Sequence, residues 1–489
     1  MSLTETQLLA KVPTGLFIDG KWVQGHNPEP IEVEDPATGK TLLTIANADH
    51  TDGLAALTAA DNAQAKWAKT SPRERGELLR RTFELVRERA EEFAMVISLE
   101  MGKPIAEARG EVTYGNEFLR WFSEEAVRIT GRFGSLPEGH GRMLIAQRPV
   151  GPAFAITPWN FPLAMATRKI GPALAAGCTI VVKPAELTPL TTLLLIKTME
   201  EAGLPAGVVN VITTSTSAAT SGPIISDPRL RKITFTGSTQ VGRKLLEQAA
   251  FQVLRTSMEL GGNAPFLVFE DANIDAAVDG AMLAKMRNIG QACTAANRFI
   301  VHDSVADEFA AKLGARMGAL QFGRGIDAAT TMGPVINEKA RQNMQRLVET
   351  TVSEGADVVT GGSARSGEGY FFEPTVLANV PPTATILNEE IFGPIAPIVR
   401  FKDEAQAVQL ANATEYGLVS YAFTEDLKRG MRLVETLDTG MTGLNTGLVS
   451  NAAAPFGGVK QSGLGREGSH EGLQEYLETK YVMIPATEI

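Results

Sequence analysis

From Gln147 to Gly261 the apolar and polar positions change period in a regular alternation. AQRPVGPAFAITP is a strand-like apolar run, NFPLAMATRKIGPALAAG has helical spacing, and TIVVKPA is short and β-branched, as a strand requires. TPLTTLLLIKTMEEAG is again helical, with Thr188 placed to cap it and Gly203 to stop it. VVNVIT and KITFTG predict two more strands, and STQVGRKLLEQAA a further helix. Strands alternating with helices predict βαβ units in a parallel, doubly wound sheet, which binds ligands at the carboxyl ends of its strands. After Met258 the pattern restarts: PFLVFED and RFIVHDS read as strands, DANIDAAVDGAMLAKMRNIG and ADEFAAKLGARMGAL as helices, giving a second α/β unit. The first 130 residues read as mostly helical, apart from LFIDGKWV and TLLTIAN. GRFGSLPEGHGRMLIAQ and LQEYLETKYVMIPATEI fit neither unit and predict extended strands that pair outside the main sheets.

A chain of 489 residues is too long for one core, so two or three domains are expected. The formal charge of −10, with no basic stripe, argues against a nucleic-acid partner. No apolar run is long enough for a membrane helix, and the opening residues lack a signal-peptide pattern, so a cytoplasmic location is expected. Two cysteines, Cys178 and Cys293, exclude a disulfide framework and suit a reducing compartment. The five histidines are scattered, so no metal site is expected.

Two glycine motifs have to be separated. GLGREG (Gly463 to Gly468) matches a dinucleotide fingerprint in spelling, but GGVKQS precedes it and only 21 residues follow, so the required βαβ setting is missing. GSTQVGRKL (Gly237 to Leu245) resembles a P-loop but has Arg243 in place of the lysine and Leu245 in place of the hydroxyl residue. It does sit between a predicted strand and a predicted helix. That setting fits either an anion or dinucleotide site or a plain turn. Cys178, in ALAAGCTIVV, reads as core. A lone cysteine is usually a small buried hydrophobe. Cys293, in NIGQACTAANR, has polar, turn-forming neighbours that suit an exposed thiol. Glu259, in SMELGGNAP, is a carboxylate in a strand-like run before two glycines, and must be paired, desolvated or functional.

At these residues the chain resembles the aldehyde dehydrogenase superfamily over essentially its full length. The motifs, in order, are TPWNFPLAMATRKIGPALAAGCTIVVKPAELTPL, FTGSTQVGRKL, MELGGNAPFLVFEDAN, GQACTAANRFIV, NEEIFGPIAPI and APFGGVKQSGLGREGS. The resemblance implies Cys293 as nucleophile, Asn160 as side-chain donor of the oxyanion hole and Glu259 as general base. It implies Lys183 and Glu186 at the adenosine ribose, Trp159, Gly237, Ser238 and Gly242 along the dinucleotide, and Glu390 and Phe392 at the nicotinamide end. Glu467 matches an acidic residue on the water and proton route. Enzymes that pass the acyl group to coenzyme A generally lack a glutamate at the Glu259 position, so a free acid product is implied. Within the superfamily the chain is most similar to succinate-semialdehyde dehydrogenases and their glutarate- and ketoglutarate-semialdehyde relatives. In that group Arg168, Arg287 and Ser450 would hold a substrate carboxylate. Paired directional donors are what a dry channel needs to hold an anion.

The implied fold is α/β: a Rossmann-type cofactor domain (1–128 and 149–258), an α/β catalytic domain (259–446) and a small β oligomerisation arm (129–148 and 470–489). Such an arm exposes strand edges, so a homodimer or homotetramer is expected. Ala295 stands where many succinate-semialdehyde enzymes have a second cysteine, so no disulfide switch is expected at the nucleophile. Glu186 replaces the small residue of many NADP-preferring members, and a carboxylate there repels a 2′-phosphate. NAD is therefore expected over NADP. Adenine contacts are left open, because ITTSTSAATSGPI is poor in glycine. The rival readings are a broad-specificity aliphatic or aromatic aldehyde dehydrogenase and a non-catalytic protein on the same scaffold.

Overall fold

The computed structural model describes residues 4–486, so the outermost three residues of the first and last expected domain ranges lie outside it. Five parallel strands form the centre of an eight-stranded sheet, in the order Val209–Val211, Ile180–Lys183, Ala153–Ile156, Lys232–Thr236, Arg255–Glu259. The hairpin Leu16–Ile18/Lys21–Val23 covers one edge and Gly463–Leu464 the other, each joined to the parallel strands antiparallel. The three innermost strands are buried along their whole length, because helices cover both faces of a parallel sheet. From Ala153–Ile156 the chain winds outward, then returns to Lys232–Thr236 on the opposite side. The carboxyl ends of these two neighbours therefore splay apart into a crevice.

The second unit is a seven-stranded sheet in the order Asp357–Thr360, Thr375–Ala378, Ile395–Phe401, Ala296–His302, Ala264–Val268, Val419–Phe423, Met441–Leu444, parallel except at Asp357–Thr360. The two segments that fitted neither unit form a sheet of their own, in which Gly141–Pro149 pairs with both Leu477–Pro485 and Arg132–Ser135. The helix Ser469–Gln474 falls inside the range expected for that arm, but it packs on the helices Ile105–Glu125 and Pro162–Ala176.

Several local readings need correction. AQRPVGPAFAITP is two strands in two sheets: Gly141–Pro149 ends before Gly151, whose φ of +126° turns the chain into Ala153–Ile156. NPEPIEVED, in a stretch expected to be mostly helical, is a strand that pairs with Lys40–Asn47 as a hairpin. Thr188 does not cap the helix Leu190–Glu201. Its hydroxyl donates to the Trp159 carbonyl at 2.9 Å. The cap comes from Glu100, 90 positions earlier, whose carboxylate accepts from the Leu190 and Thr191 N–H groups at 2.7 and 2.9 Å and from the Thr191 hydroxyl at 2.5 Å. Burial pushes the Glu100 carboxyl up to about 8 against the pull of these donors. Gly203 does follow the helix end, with φ +95°.

Replacing Glu100 with alanine strands buried donors at a helix start, which costs on the order of 3 kcal/mol. A thermal melt of E100A should drop by several degrees. An unchanged midpoint would mean that this helix start is satisfied elsewhere.

Candidate active site

The crevice is built by the two turns that leave its flanking strands. One is Thr157–Asn160, the other Gly237–Ser238. A Cβ on Gly237 would lie 2.4 Å from the Phe235 ring, so any other residue here would have to displace that ring. Ser238 then caps the helix Thr239–Gln252, accepting from the Val241 N–H, and Gly242 lets that helix approach Leu260, whose Cδ2 would lie 2.3 Å from an added Cβ. The turn is thus a helix N-terminus beside a cleft; the Gly237 N–H is given to the Glu259 carbonyl and the Val241 N–H to Ser238, and the positive end of the helix favours an anion there. GLGREG forms no such turn. Gly463 and Leu464 are an edge strand.

A cavity of about 850 Å³, including its open mouth, lies here. Trp159, Asn160, Gly237 and Ser238 of the first unit line it, as do Cys293, Arg287, Glu390 and Phe392 of the second, together with Arg168 and Ser450. Glu259, Lys183, Glu186 and Gly242 do not line it. The Lys183 amine is buried at the end of its strand, which lowers its pKa, and donates to the Pro184 carbonyl at 3.3 Å. The half-exposed Glu186 carboxylate lies 4.0 Å from it.

Cys293 follows an unusual turn. The helix Ile274–Met286 ends at Arg287, and the next three residues are left-handed: Asn288 (φ +57°), Ile289 (φ +58°) and Gly290 (φ +73°). For β-branched Ile289 this conformation costs about 1–3 kcal/mol, which the surroundings must offset. The Asn288 N–H donates to Glu107 at 2.5 Å, and its side-chain amide donates to the carbonyls of Asn160 (3.0 Å) and Gln291 (2.9 Å). Asn160 Nδ2 donates to the same Gln291 carbonyl at 3.0 Å, which leaves its second amide hydrogen for a ligand. Burial pushes the Cys293 thiol up to about 12. Arg168 and Arg287 oppose this, and Glu390 and Glu259 reinforce it. The paired glycines after Glu259 now have a reason: a Cβ on Gly262 would lie 2.2 Å from the Cys293 carbonyl oxygen, and one on Gly261 2.9 Å from the Glu390 carboxylate. Glu390 accepts the Gly262 N–H at 3.1 Å, and burial pushes its carboxyl up to about 7. Phe392, itself left-handed, meets Trp159 edge-on with ring centroids 5.4 Å apart.

Behind the cavity four charged groups share one enclosure. Glu259 ends its strand buried, with Oε2 lacking any hydrogen-bond partner. Burial and the Glu467 charge raise its carboxyl well above the usual range, against Arg168 and Lys169. For Glu467 burial acts in the same direction, but Lys169 and Arg168 outweigh it and hold the carboxyl low. Arg168 lies 2.7 Å from Glu467, and Lys169 pairs with the other carboxylate oxygen while also donating to the Thr236 hydroxyl at 2.8 Å. Neither Arg168 nor Arg287 is a surface ion-pair residue. Arg168 is 2% exposed, its guanidinium 4.0 Å from the Phe456 ring centroid, and its Nε and Nη2 lack aligned acceptors. Arg287 lies 5.0 Å from the Phe161 ring centroid, with no carboxylate at ion-pair distance among the described residues. Cys178 is fully buried, as expected, its thiol directed at the Tyr476 carbonyl. The sequence reading missed Lys169, Glu107, Phe161 and Phe456. Of these only Lys169 left a trace: a second cation beside Arg168 in an otherwise apolar helix.

A thiol and an amide donor lining one cavity, with a buried, partnerless carboxylate behind it, suit acyl chemistry at a carbonyl. Among the described residues no helix is long and apolar enough to cross a membrane. The family model described as "Aldehyde dehydrogenase family" matches residues 22–482. The chain is 60% identical over 443 residues to a succinate-semialdehyde dehydrogenase of Paenarthrobacter nicotinovorans, covering 91% of this chain and 98% of that one. It is 47% identical to a glutarate-semialdehyde dehydrogenase of Pseudomonas putida, covering 99% and 100%. Its fold superposes on the crystal structure of an E. coli NADP-dependent enzyme with a TM-score of 0.96 at 46% identity, covering 99% of this chain and 100% of that one. The catalytic-site motifs, the two α/β units and these matches have one meaning: the chain belongs to the aldehyde dehydrogenase family.

Proposed function

We propose that this enzyme oxidises a short ω-semialdehyde acid, succinate semialdehyde foremost, to the dicarboxylate, with a nicotinamide dinucleotide as co-substrate. The observation that carries the reading is one cavity lined by the Cys293 thiol and by two guanidiniums, Arg168 and Arg287, with Ser450 beside them. Much of the remaining lining is apolar, including Phe161, Met165, Leu260 and Phe456. An aldehyde with an anionic tail satisfies both features, and the semialdehyde dehydrogenases among the relatives act on this class.

The chain's own groups divide the work. Cys293 gives up its thiol proton to water and adds as the thiolate to the aldehyde carbon, and Asn160 Nδ2 donates to the oxygen that becomes negative. Losing such a donor typically costs about 3 kcal/mol. A bound nicotinamide dinucleotide supplies the hydride acceptor for oxidation of this adduct to the thioester. Glu259 then takes a proton from the water that attacks the thioester carbon, and the acid leaves Cys293. The crevice suits the dinucleotide because its glycines leave space a Cβ would fill. Ser238, Gly237 and Gly242 would hold its phosphates, Lys183 and Glu186 the adenosine ribose, Glu390 the nicotinamide ribose, with Trp159 and Phe392 beside the ring. We read NAD as the preferred form, because Glu186 places a carboxylate beside Lys183, the cation a 2′-phosphate would need. The related E. coli structure is of an NADP-dependent enzyme, so this preference has a direct test.

The sheet formed by residues 132–135, 141–149 and 477–485 is read as an oligomerisation arm, because Phe133, Leu144, Tyr481 and Met483 expose apolar side chains on it. A homodimer or homotetramer follows. The first sheet with its helices is read as the cofactor domain and the second as the catalytic domain. The free thiols of Cys178 and Cys293 suit the cytoplasm.

One observation favours the broad-specificity rival: Arg168 already neighbours Glu467. The two readings separate on Arg287. Truncating one partner of a buried charge pair costs about 2 kcal/mol or more, hence roughly thirtyfold. R287A should lose at least that in kcat/KM with succinate semialdehyde and stay within about threefold of wild type with butanal. Equal losses on both would remove the carboxylate clamp. For the cofactor, Glu186→Ser should move the NAD/NADP ratio of kcat/KM toward NADP by about tenfold, roughly 1.4 kcal/mol. An unmoved ratio would mean that Glu186 does not choose the cofactor.

A further inference from the structure

The helix Ile105–Glu125 carries two carboxylates four positions apart, Glu107 and Glu111, and each reaches a different half of the active site. Glu111 is buried, pairs with Lys103 at 2.5 Å, and accepts the Leu163 N–H at 2.9 Å, at the start of the helix that bears Arg168. Lys103 in turn donates to the Asn160 carbonyl at 2.9 Å. Glu107 accepts the Asn288 N–H at 2.5 Å, in the left-handed turn that lies between Arg287 and Cys293. Asn288 closes the circuit through its side-chain bond to the Asn160 carbonyl. One helix therefore holds the oxyanion-side loop with Glu111, acting through Lys103 just before the helix, and the nucleophile-side loop with Glu107.

We propose that Glu107 is a positioning residue of this enzyme: its carboxylate oxygen holds the Asn288–Gly290 turn so that Cys293 faces the cavity beside Asn160. Three consecutive left-handed residues, one of them β-branched, do not keep this shape on local preference. Within the turn, the Asn288 side chain bonds Gln291, a residue of the same loop. Glu107 supplies an anchor on the Asn288 main chain from a separate rigid element. The need is for an acceptor at that distance rather than for a charge. Burial raises the Glu107 carboxyl above the usual range, while the Asn288 N–H, Lys103 and Arg287 oppose the shift. An uncharged oxygen in the same place serves the same end.

The inference rests on Cys293 being the nucleophile, but not on which aldehyde is oxidised. Its test uses Glu107→Gln, which keeps an acceptor oxygen at full length without charge, and Glu107→Asp, which keeps the charge but withdraws the oxygen by one methylene. Each full-length variant is assayed for iodoacetamide labelling of Cys293, for kcat with succinate semialdehyde and with butanal, and for its thermal midpoint. Displacing a reacting group by about 1 Å can cost up to a hundredfold. The expectation is a roughly ten- to hundredfold drop in labelling rate and in kcat for E107D with both aldehydes, and values within threefold of wild type for E107Q. A merely structural role would move the thermal midpoint and the yield of active enzyme, not the labelling rate per folded active site. E107D behaving as wild type, or E107Q being as impaired as E107D, overturns the proposal. Wild-type enzyme that stays active after complete labelling of Cys293 would instead overturn the nucleophile assignment itself.

Discussion

The site depends on a shared electrostatic enclosure: Arg168 and Lys169, adjacent on one helix, face Glu467, with Glu259 close enough to feel all three charges. Burying ions is costly unless they are paired, and here pairing and function divide unequally. Glu467 takes both cations and is held ionised, whereas Glu259 is left with a partnerless oxygen and a raised pKa. Two carboxylates in one pocket are thereby driven to different states, Glu467 fixed by its cations and Glu259 raised and without a partner, which is the state the proposed general base needs. Driving the pKa values of two neighbouring carboxylates apart is a common way for a protein to separate acid and base roles.

The enclosure belongs to the first α/β unit, and the cavity in front of it is lined by both units. The first sheet brings Glu259, Asn160 and the helix of Arg168 to its carboxyl edge, and the second brings Cys293, Arg287 and Glu390. Contact between them is close enough to dictate glycine at 262, where an added Cβ would lie 2.2 Å from the Cys293 carbonyl oxygen. The strain in the turn at 288–290 is the local cost of bringing a thiol to that junction, and hydrogen bonds from Asn288 to the Glu107 carboxylate and the Asn160 carbonyl offset it.

Much of this was legible in the sequence. The alternation of period gave both α/β units and isolated the two segments that form the small sheet. Cys293 and Glu259 stood out because polar, glycine-rich neighbours are wrong for core positions. What stayed hidden is long-range. Glu100 caps a helix 90 residues away, so the nearby Thr188 was the natural but mistaken choice. Glu107 looks like any exposed helical glutamate, since its partner lies 181 positions later. The hairpin strand at 27–35 failed to register because its charges obscure its alternation. The orientation of Arg168 toward Glu467 depends on packing between segments almost 300 residues apart, which no local pattern encodes.

The most direct measurement concerns the covalent step. Glu259→Gln enzyme, mixed with NAD and succinate semialdehyde, should turn over once and stop. Peptide mapping by mass spectrometry should then place a succinyl thioester on Cys293, with Cys178 unmodified. Sustained turnover by that variant, or acylation found elsewhere or nowhere, would contradict the division of labour between Cys293 and Glu259.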